Sequence, residues 1–339
     1  MKIVTFGEIM LRLTPPDRNR FSQADHFMAT YGGGEANVAI ALSNFGMDAS
    51  FITKVPSNQL GQNAVNELRK YGVDTKQIAR GGERLGIYFL EKGASQRASK
   101  VIYDRAHSSI ANAKPEDFDW EAIFKDVDWF HFTGITPALG HTVAEITLDA
   151  LKEAKRQNVY VSCDLNYRNN LWSKEEANAT MSKLAPYIDL VVANEEDAAD
   201  VFQIKAKNYD VTSGELNTEN YIDVAKQMVD KFGFKVVATT LRESLTASDN
   251  NWSAMLYKDG KAHFSKVYPV HIVDRVGGGD SFGSGLIYAL LNGYTDEDAI
   301  EFAVAASCLK HTIEGDFNRV SVEEVTQLAQ GDGSGRVQR

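Results

Sequence analysis

From about residue 129 onward, short apolar runs rich in β-branched and aromatic residues alternate with stretches whose apolar positions recur at helical spacing. Trp129-Phe130-His131-Phe132 precedes a helical pattern around 142–157, and Val159-Tyr160-Val161-Ser162 precedes another around 174–186. Leu190-Val191-Val192-Ala193 leads into a helix from about 195, and Lys235-Val236-Val237-Ala238-Thr239 follows one at 219–231. Such alternation predicts βαβ units, a mainly parallel sheet and an α/β fold. Ligands in sheets of this kind bind beyond the carboxyl ends of the strands. Two segments break the rhythm, 8–31 and 84–105, where apolar and polar residues alternate without intervening helices. Gly86-Ile87-Tyr88-Phe89-Leu90 and Lys100-Val101-Ile102-Tyr103-Asp104 read as paired strands. They predict a small β-stranded lid projecting from the main sheet. The Gly-rich, polar tail 331–339 is expected to be disordered.

Composition narrows the function classes. With 339 residues, 43% hydrophobic and 24% charged, the chain has ample core for one large α/β domain or two smaller ones. A net charge of −10 with no basic block argues against a nucleic-acid partner. No apolar run is long enough to span a membrane, and the opening MKIVTFGEIMLRL reads as a strand rather than a secretory signal. Two cysteines, Cys163 and Cys308, suit buried thiols in a reducing compartment, so a cytoplasmic location is expected.

The candidate chemistry lies in two glycine clusters. Asp274-Arg275-Val276-Gly277-Gly278-Gly279-Asp280 opens a stretch in which Phe282, Leu286, Ile287 and Leu290 recur at helical spacing. Three glycines let successive amides converge on one point, and a helix N-terminus favours an anion there. Asp280 at that anion site is electrostatically odd for a phosphate ligand, but it suits a base that prepares a nucleophile. The plainer reading stays open, because Asp is also a favoured helix N-cap. The string has neither the Lys-Ser/Thr of a P-loop nor a dinucleotide fingerprint. The second cluster, Gly32-Gly33-Gly34-Glu35-Ala36-Asn37, opens another helix. Its glycines permit close approach of a ligand, and Asn37 can both donate to and accept from a hydroxyl.

Together, Gly33-Gly34-Glu35-Ala36-Asn37-Val38-Ala39 and Asp274…Gly277-Gly278-Gly279-Asp280 resemble the two signatures of the ribokinase-like (PfkB) carbohydrate kinases. The resemblance covers about 1–325. It implies a ribokinase-like αβα sandwich with a β lid, and phosphorylation of a sugar hydroxyl with ATP and Mg²⁺. It also implies that Asp280 is the general base and that the amides of Gly277, Gly278 and Gly279 form the anion hole. The string Asp164-Leu165-Asn166-Tyr167-Arg168-Asn169-Asn170-Leu171-Trp172 and the lid residues Tyr103 and Arg105 resemble the 2-keto-3-deoxygluconate kinases within that family. By that resemblance Gly33, Asn37, Tyr88, Tyr103, Arg105, Arg168 and Asp280 contact a sugar acid. The implied reaction is ATP-dependent phosphorylation of 2-dehydro-3-deoxy-D-gluconate at its 6-hydroxyl.

On the nucleotide side, Asn194-Glu195-Glu196-Asp197 resembles the family's Asn-x-x-Glu motif. Asp197 is one methylene shorter than the Glu of that motif, so either it reaches Mg²⁺ through an extra water or Glu196 substitutes. Thr240 and Arg242 stand where relatives carry a Gly-x-x-Gly loop, and with Asn194, Gly277 and Gly279 they are the expected ATP contacts. Arg275 replaces a small residue or proline, which leaves a monovalent cation beside Asp274 an open question. His107, His131, His263, His271 and His311 show no metal-ligand spacing, and Glu314-Gly315-Asp316-Phe317 reads as a turn without chemistry. An exposed lid invites pairing between copies, so a homodimer or higher oligomer is expected. The alternatives are another sugar kinase of the family, such as a fructokinase, ribokinase or nucleoside kinase, and a non-catalytic sugar-acid sensor.

Overall fold

The computed structural model describes residues 1–206, 218–331 and 333. Among them, nine strands form one sheet. Its main path runs Lys261–Phe264, Asp249–Lys258, Val236–Ser244, Leu190–Ala193, Tyr160–Asp164, Trp129–Thr133, Lys2–Phe6 and Asp48–Ile52. From Val236–Ser244 to Asp48–Ile52 every neighbouring pair is parallel. The strand Tyr268–His271 and the two strands at the other end of the path pair antiparallel.

Strand periodicity builds the sandwich. Val4, Phe130, Val161, Val191 and Val237 enter one apolar core, with helices His141–Arg156 and Lys174–Leu184 over them. Their chain neighbours Ile3, Trp129, Leu190, Val192 and Val236 enter a second core, covered by Gly34–Asn44, Gly278–Leu291 and Asp296–His311. Both faces are therefore dry, which explains the nearly continuous apolar runs in these strands. Phe130 and Phe132 are each fully buried, and burial of such a side chain contributes about 1.5–3 kcal/mol.

The lid is a separate four-stranded sheet, ordered Met28–Gly32, Met10–Thr14, Ile87–Glu91, Lys100–Asp104. Its central pair is parallel and its outer pairs are antiparallel. Two boundaries differ from expectation. The helix from 174 closes at Leu184 and passes into a 3₁₀ turn, Ala185–Tyr187, because Pro186 has no amide hydrogen to continue the ladder. The strand expected at 235–239 runs on to Ser244, because its hairpin partner Asp249–Lys258 pairs with it throughout. Most of the tail expected to be disordered lies outside the described residues.

Candidate active site

The carboxyl ends of the parallel strands, the starts of two helices and the inner face of the lid enclose one cleft of about 540 Å³. Its floor is built where the two glycine clusters meet. The Asn37 amide donates to Asp280 Oδ2 at 2.6 Å, and Asn37 Oδ1 accepts from the Gly33 amide at 3.3 Å. Asn37, expected to hold a substrate hydroxyl, thus orients Asp280 in this structure. Among the described residues, no donor engages Asp280 Oδ1. Burial, with Glu35 and Asp316 nearby, pushes the Asp280 carboxyl up to about 7, against the Asn37 hydrogen bond and Arg168.

Gly277 stands at φ 82°, a left-handed conformation, and a Cβ there would meet the Asp316 carbonyl oxygen at 1.9 Å. Gly278 packs against the His311 ring, which a Cβ would meet at 2.4 Å. Gly279 faces open space. The Gly278 amide donates to the Arg275 carbonyl at 3.4 Å, whereas those of Gly277, Gly279 and Asp280 have no acceptor among the described residues. Unengaged first-turn amides at the edge of a cleft are what an anion requires.

Beneath this floor lies a buried charge network. Arg12, from the lid, donates to Asp274 Oδ2 at 2.5 Å and to Asp316 Oδ1 at 2.6 Å. Tyr88 donates to Asp316 Oδ2 at 2.5 Å, so the hydroxyl expected to touch substrate is already engaged. Burial and the Asp316 charge raise the Tyr88 phenol well above its usual range. Asp316, read from sequence as part of a bland turn, is central to this network. The Lys310 ammonium joins from behind, donating to the carbonyls of Asp274 and Ile313.

At the lid end, Tyr88 and Tyr103 are cross-strand partners with ring centroids 6.0 Å apart. Arg105 lies 5.4 Å from the Tyr103 ring centroid, and its Nε donates to Glu8 Oε2 at 2.8 Å. Its second donor also engages that oxygen, and Ser108 donates to Glu8 Oε1 at 2.6 Å. Arg168 follows a turn in which Asn166 has φ 40°. Its guanidinium donates to the Tyr167 carbonyl at 2.8 Å and forms no ion pair among the described residues. Of the two arginines expected to face a carboxylate, Arg168 is therefore the one still unpaired.

The end of the cleft expected to take nucleotide is lined by Asn194, Glu196, Asp197, Thr240, Arg242 and Arg275. Asn194 Oδ1 accepts from the Asp197 amide at 2.7 Å as a helix cap, and Asp197 Oδ1 accepts from the Tyr167 amide at 3.1 Å. Burial raises the Asp197 carboxyl to about 6, although the amides of Asn194 and Tyr167 both donate to it. Asp164 is raised well above its usual range by burial, then by Asp197 and Asp280. Asp164 and Asp197 are two carboxyls lining this end of the cleft, oxygen donors of the kind that Mg²⁺ takes while keeping waters or phosphate oxygens in its other positions. No cluster of three or more potential metal ligands occurs among the described residues. Arg275 donates to the Ala247 carbonyl at 3.0 Å and lies close enough to Arg242 for the two charges to repel.

All the site residues expected from sequence except Gly278 line this one cleft, and Gly278 is buried directly under it. Sequence reasoning missed Glu8, Arg12, Asp316 and Lys310. Asp164 enters the sequence pattern only as the first residue of the string Asp164–Trp172. No described helix is long and apolar enough to cross a membrane.

The model of the pfkB family carbohydrate kinases matches residues 1–319. A 2-dehydro-3-deoxygalactonokinase from Haloferax volcanii is 32% identical over 334 residues, 98% of each chain. The crystal structure of a 2-dehydro-3-deoxygluconokinase from Thermotoga maritima is 56% identical, with a TM-score of 0.94 and 98% of each chain covered. That of a PfkB family carbohydrate kinase from Listeria grayi is 34% identical, with a TM-score of 0.90, covering 97% of this chain and all of that one.

Proposed function

The chain belongs to the pfkB family of carbohydrate kinases, and on that premise we propose that it transfers the γ-phosphoryl group of ATP to the 6-hydroxyl of 2-dehydro-3-deoxy-D-gluconate. The observation that carries the reading is the cleft floor, where Asp280 with one unengaged oxygen sits beside amides that have no acceptor. Phosphoryl transfer is largely positioning and charge stabilisation, with a carboxylate orienting and deprotonating the attacking hydroxyl. Asp280 Oδ1 accepts the hydroxyl proton as the oxygen–phosphorus bond forms and the bond to ADP breaks. Asn37 fixes the other carboxylate oxygen, so the base cannot rotate away. The amides of Gly277 and Gly279 hold the phosphoryl oxygens in a partly desolvated site, where fixed dipoles are most effective.

The sugar-acid assignment rests on Arg168 and on the relatives. Arg168 presents a fork suited to a carboxylate, which a neutral sugar does not require. Gly33 allows close approach of the substrate, and Tyr103 with Arg105 forms the lid side of the pocket. Arg242 and Arg275 place positive charge at the nucleotide end, with Thr240 and Asn194 beside them. Asp164 and Asp197, with Glu196 through water, would hold the Mg²⁺ that accompanies ATP. When bound, that ion neutralises phosphate oxygens. The Haloferax relative supports a second reading, the galactonate epimer as substrate.

A coupled assay of ADP release across both 2-keto-3-deoxy acids, fructose and ribose tests the proposal. The deoxygluconate is expected to give the highest kcat/KM. Comparable turnover of a neutral sugar would refute the acid assignment, and no ADP release with any of them would leave a binding protein. Substitution of Arg168 by Leu is expected to raise KM for the acid at least about tenfold while KM for ATP changes little. Equal effects on both would show that Arg168 does not face the acid.

A further inference from the structure

Lys310 is fully buried, although it sits in the last turn of its helix, beside His311. Its ammonium lies 3.1 Å from the Asp274 carbonyl oxygen and 3.2 Å from that of Ile313. These two carbonyls belong to the two segments that frame the anion hole. Asp274 begins the loop that ends at Gly277, and Ile313 begins the loop whose Asp316 carbonyl presses against Gly277. The same two loops are cross-linked by the Gly315 amide on Asp274 Oδ2 at 3.1 Å and by Arg12 between Asp274 and Asp316. The buried charges therefore form a set of four, with the carboxyls of Asp274 and Asp316 against the cations of Arg12 and Lys310. An unpaired buried carboxylate is expensive, so such a set holds only if both cations stay.

A monovalent cation beside Asp274 would have to use backbone carbonyls of these loops. Two of them already accept hydrogen bonds from an ammonium, and the opposing carboxyls are already balanced. The residues present do not fit a resident monovalent ion. We propose that Lys310 is a positioning residue whose tethered ammonium braces the anion-hole loop from behind and takes the place of a monovalent cation, making the protein indifferent to K⁺. For turnover this rests on the kinase reading above. For stability it does not.

Two measurements test it. The first is the melting temperature of the full chain in potassium, ammonium or choline chloride at equal ionic strength. Wild type is expected to melt alike in all three. Lys310→Ala, which removes the ammonium and the three carbons that carry it beyond Cβ, is expected to melt higher in K⁺ or NH₄⁺ than in choline. The second is turnover in the same salts. Wild-type kcat is expected to vary less than about twofold, whereas the Ala variant loses about tenfold or more in choline and regains most of it in K⁺ or NH₄⁺. A merely structural lysine would show no ion-specific rescue.

Lys310→Gln, which retains a donor without the charge, serves if the Ala variant does not fold. It is expected to lower kcat about tenfold at little-changed KM for the acid. Activation of wild type by K⁺ of more than about fivefold would overturn the proposal. So would a folded Ala variant whose melting ignores the cation, or near-normal kcat in choline chloride in either folded variant. If no sugar acid is phosphorylated at all, the melting experiment still decides the role of Lys310.

Discussion

Asp280 illustrates how much depends on one side chain. A carboxyl raised from 3.8 to about 7 is half-ionised near neutrality, where a general base combines availability with proton affinity. Only the ionised form can accept the hydroxyl proton. We therefore expect kcat/KM to rise about tenfold per pH unit below 7 and to level off above it. A rate profile flat from pH 5 to 8 would contradict this role. The same shift has a stability sign. Between about pH 4 and 7 the native state holds a proton that the unfolded chain has released, so stability falls as pH rises through this window. At pH 8 the charged Asp280 thus weighs against the fold. Asp280→Asn should cut kcat by about 10²–10⁴-fold, while calorimetry at pH 8 should find its Tm no lower than wild type. A clear loss of Tm with the loss of activity would mark Asp280 as a structural residue of the first helical turn instead. The structure itself sets the helix-cap reading aside, because Gly277 occupies the N-cap and no side chain caps the helix there.

At the scale of elements, the start of the Gly278–Leu291 helix contains three glycines with three different reasons. Gly277 needs a left-handed φ, Gly278 needs room for His311, and Gly279 has nothing beside it. A methyl group at Gly279 would meet only cleft space, and alanine favours helix over glycine by about 0.8–1.0 kcal/mol. Gly279→Ala is therefore expected to melt at or above the wild-type temperature, yet to lose about tenfold or more in kcat as the methyl enters the phosphoryl site. Gly278→Ala should lower Tm, because the His311 ring must move. If Gly279→Ala keeps full activity, the anion does not sit there. The glycine strings were legible because a run of glycines before an apolar helix has few physical uses. The helix stop at Leu184 was missed by about two residues, since the apolar periodicity continues past it and only Pro186 breaks the ladder. The continuation of the 236–244 strand could not be read from its own polar residues, because the hairpin partner imposes it.

For the whole molecule, what sequence could not reveal was which distant residues meet. Arg12 and Asp316 are 304 positions apart, and neither carries a local pattern that names the other. Their contact follows from topology, which brings a lid strand over the end of the sheet. Lys310 likewise reads as an ordinary last-turn lysine until burial reveals it. The lid itself was legible as alternating strands, and the register explains its two faces. Tyr88 and Tyr103 point into the cleft, while Leu13, Phe89 and Ile102 align across three strands on the opposite face. Phe27 packs edge-on against Phe89, and Ile102 is 54% exposed. An exposed apolar sheet face bounded by the free edge of Lys100–Asp104 is a surface that soluble proteins normally cover. We propose that a second copy of the chain covers it, lid against lid. Sedimentation velocity at micromolar concentration should then show a dimer, and Ile102→Glu should shift it toward monomer by placing a charge in the apolar contact. Since the inner face of the same sheet carries Arg12 and Tyr103, loosening the lid should also raise KM for the acid more than KM for ATP. A wild-type monomer, or an Ile102→Glu protein that sediments unchanged, would remove the lid from the interface.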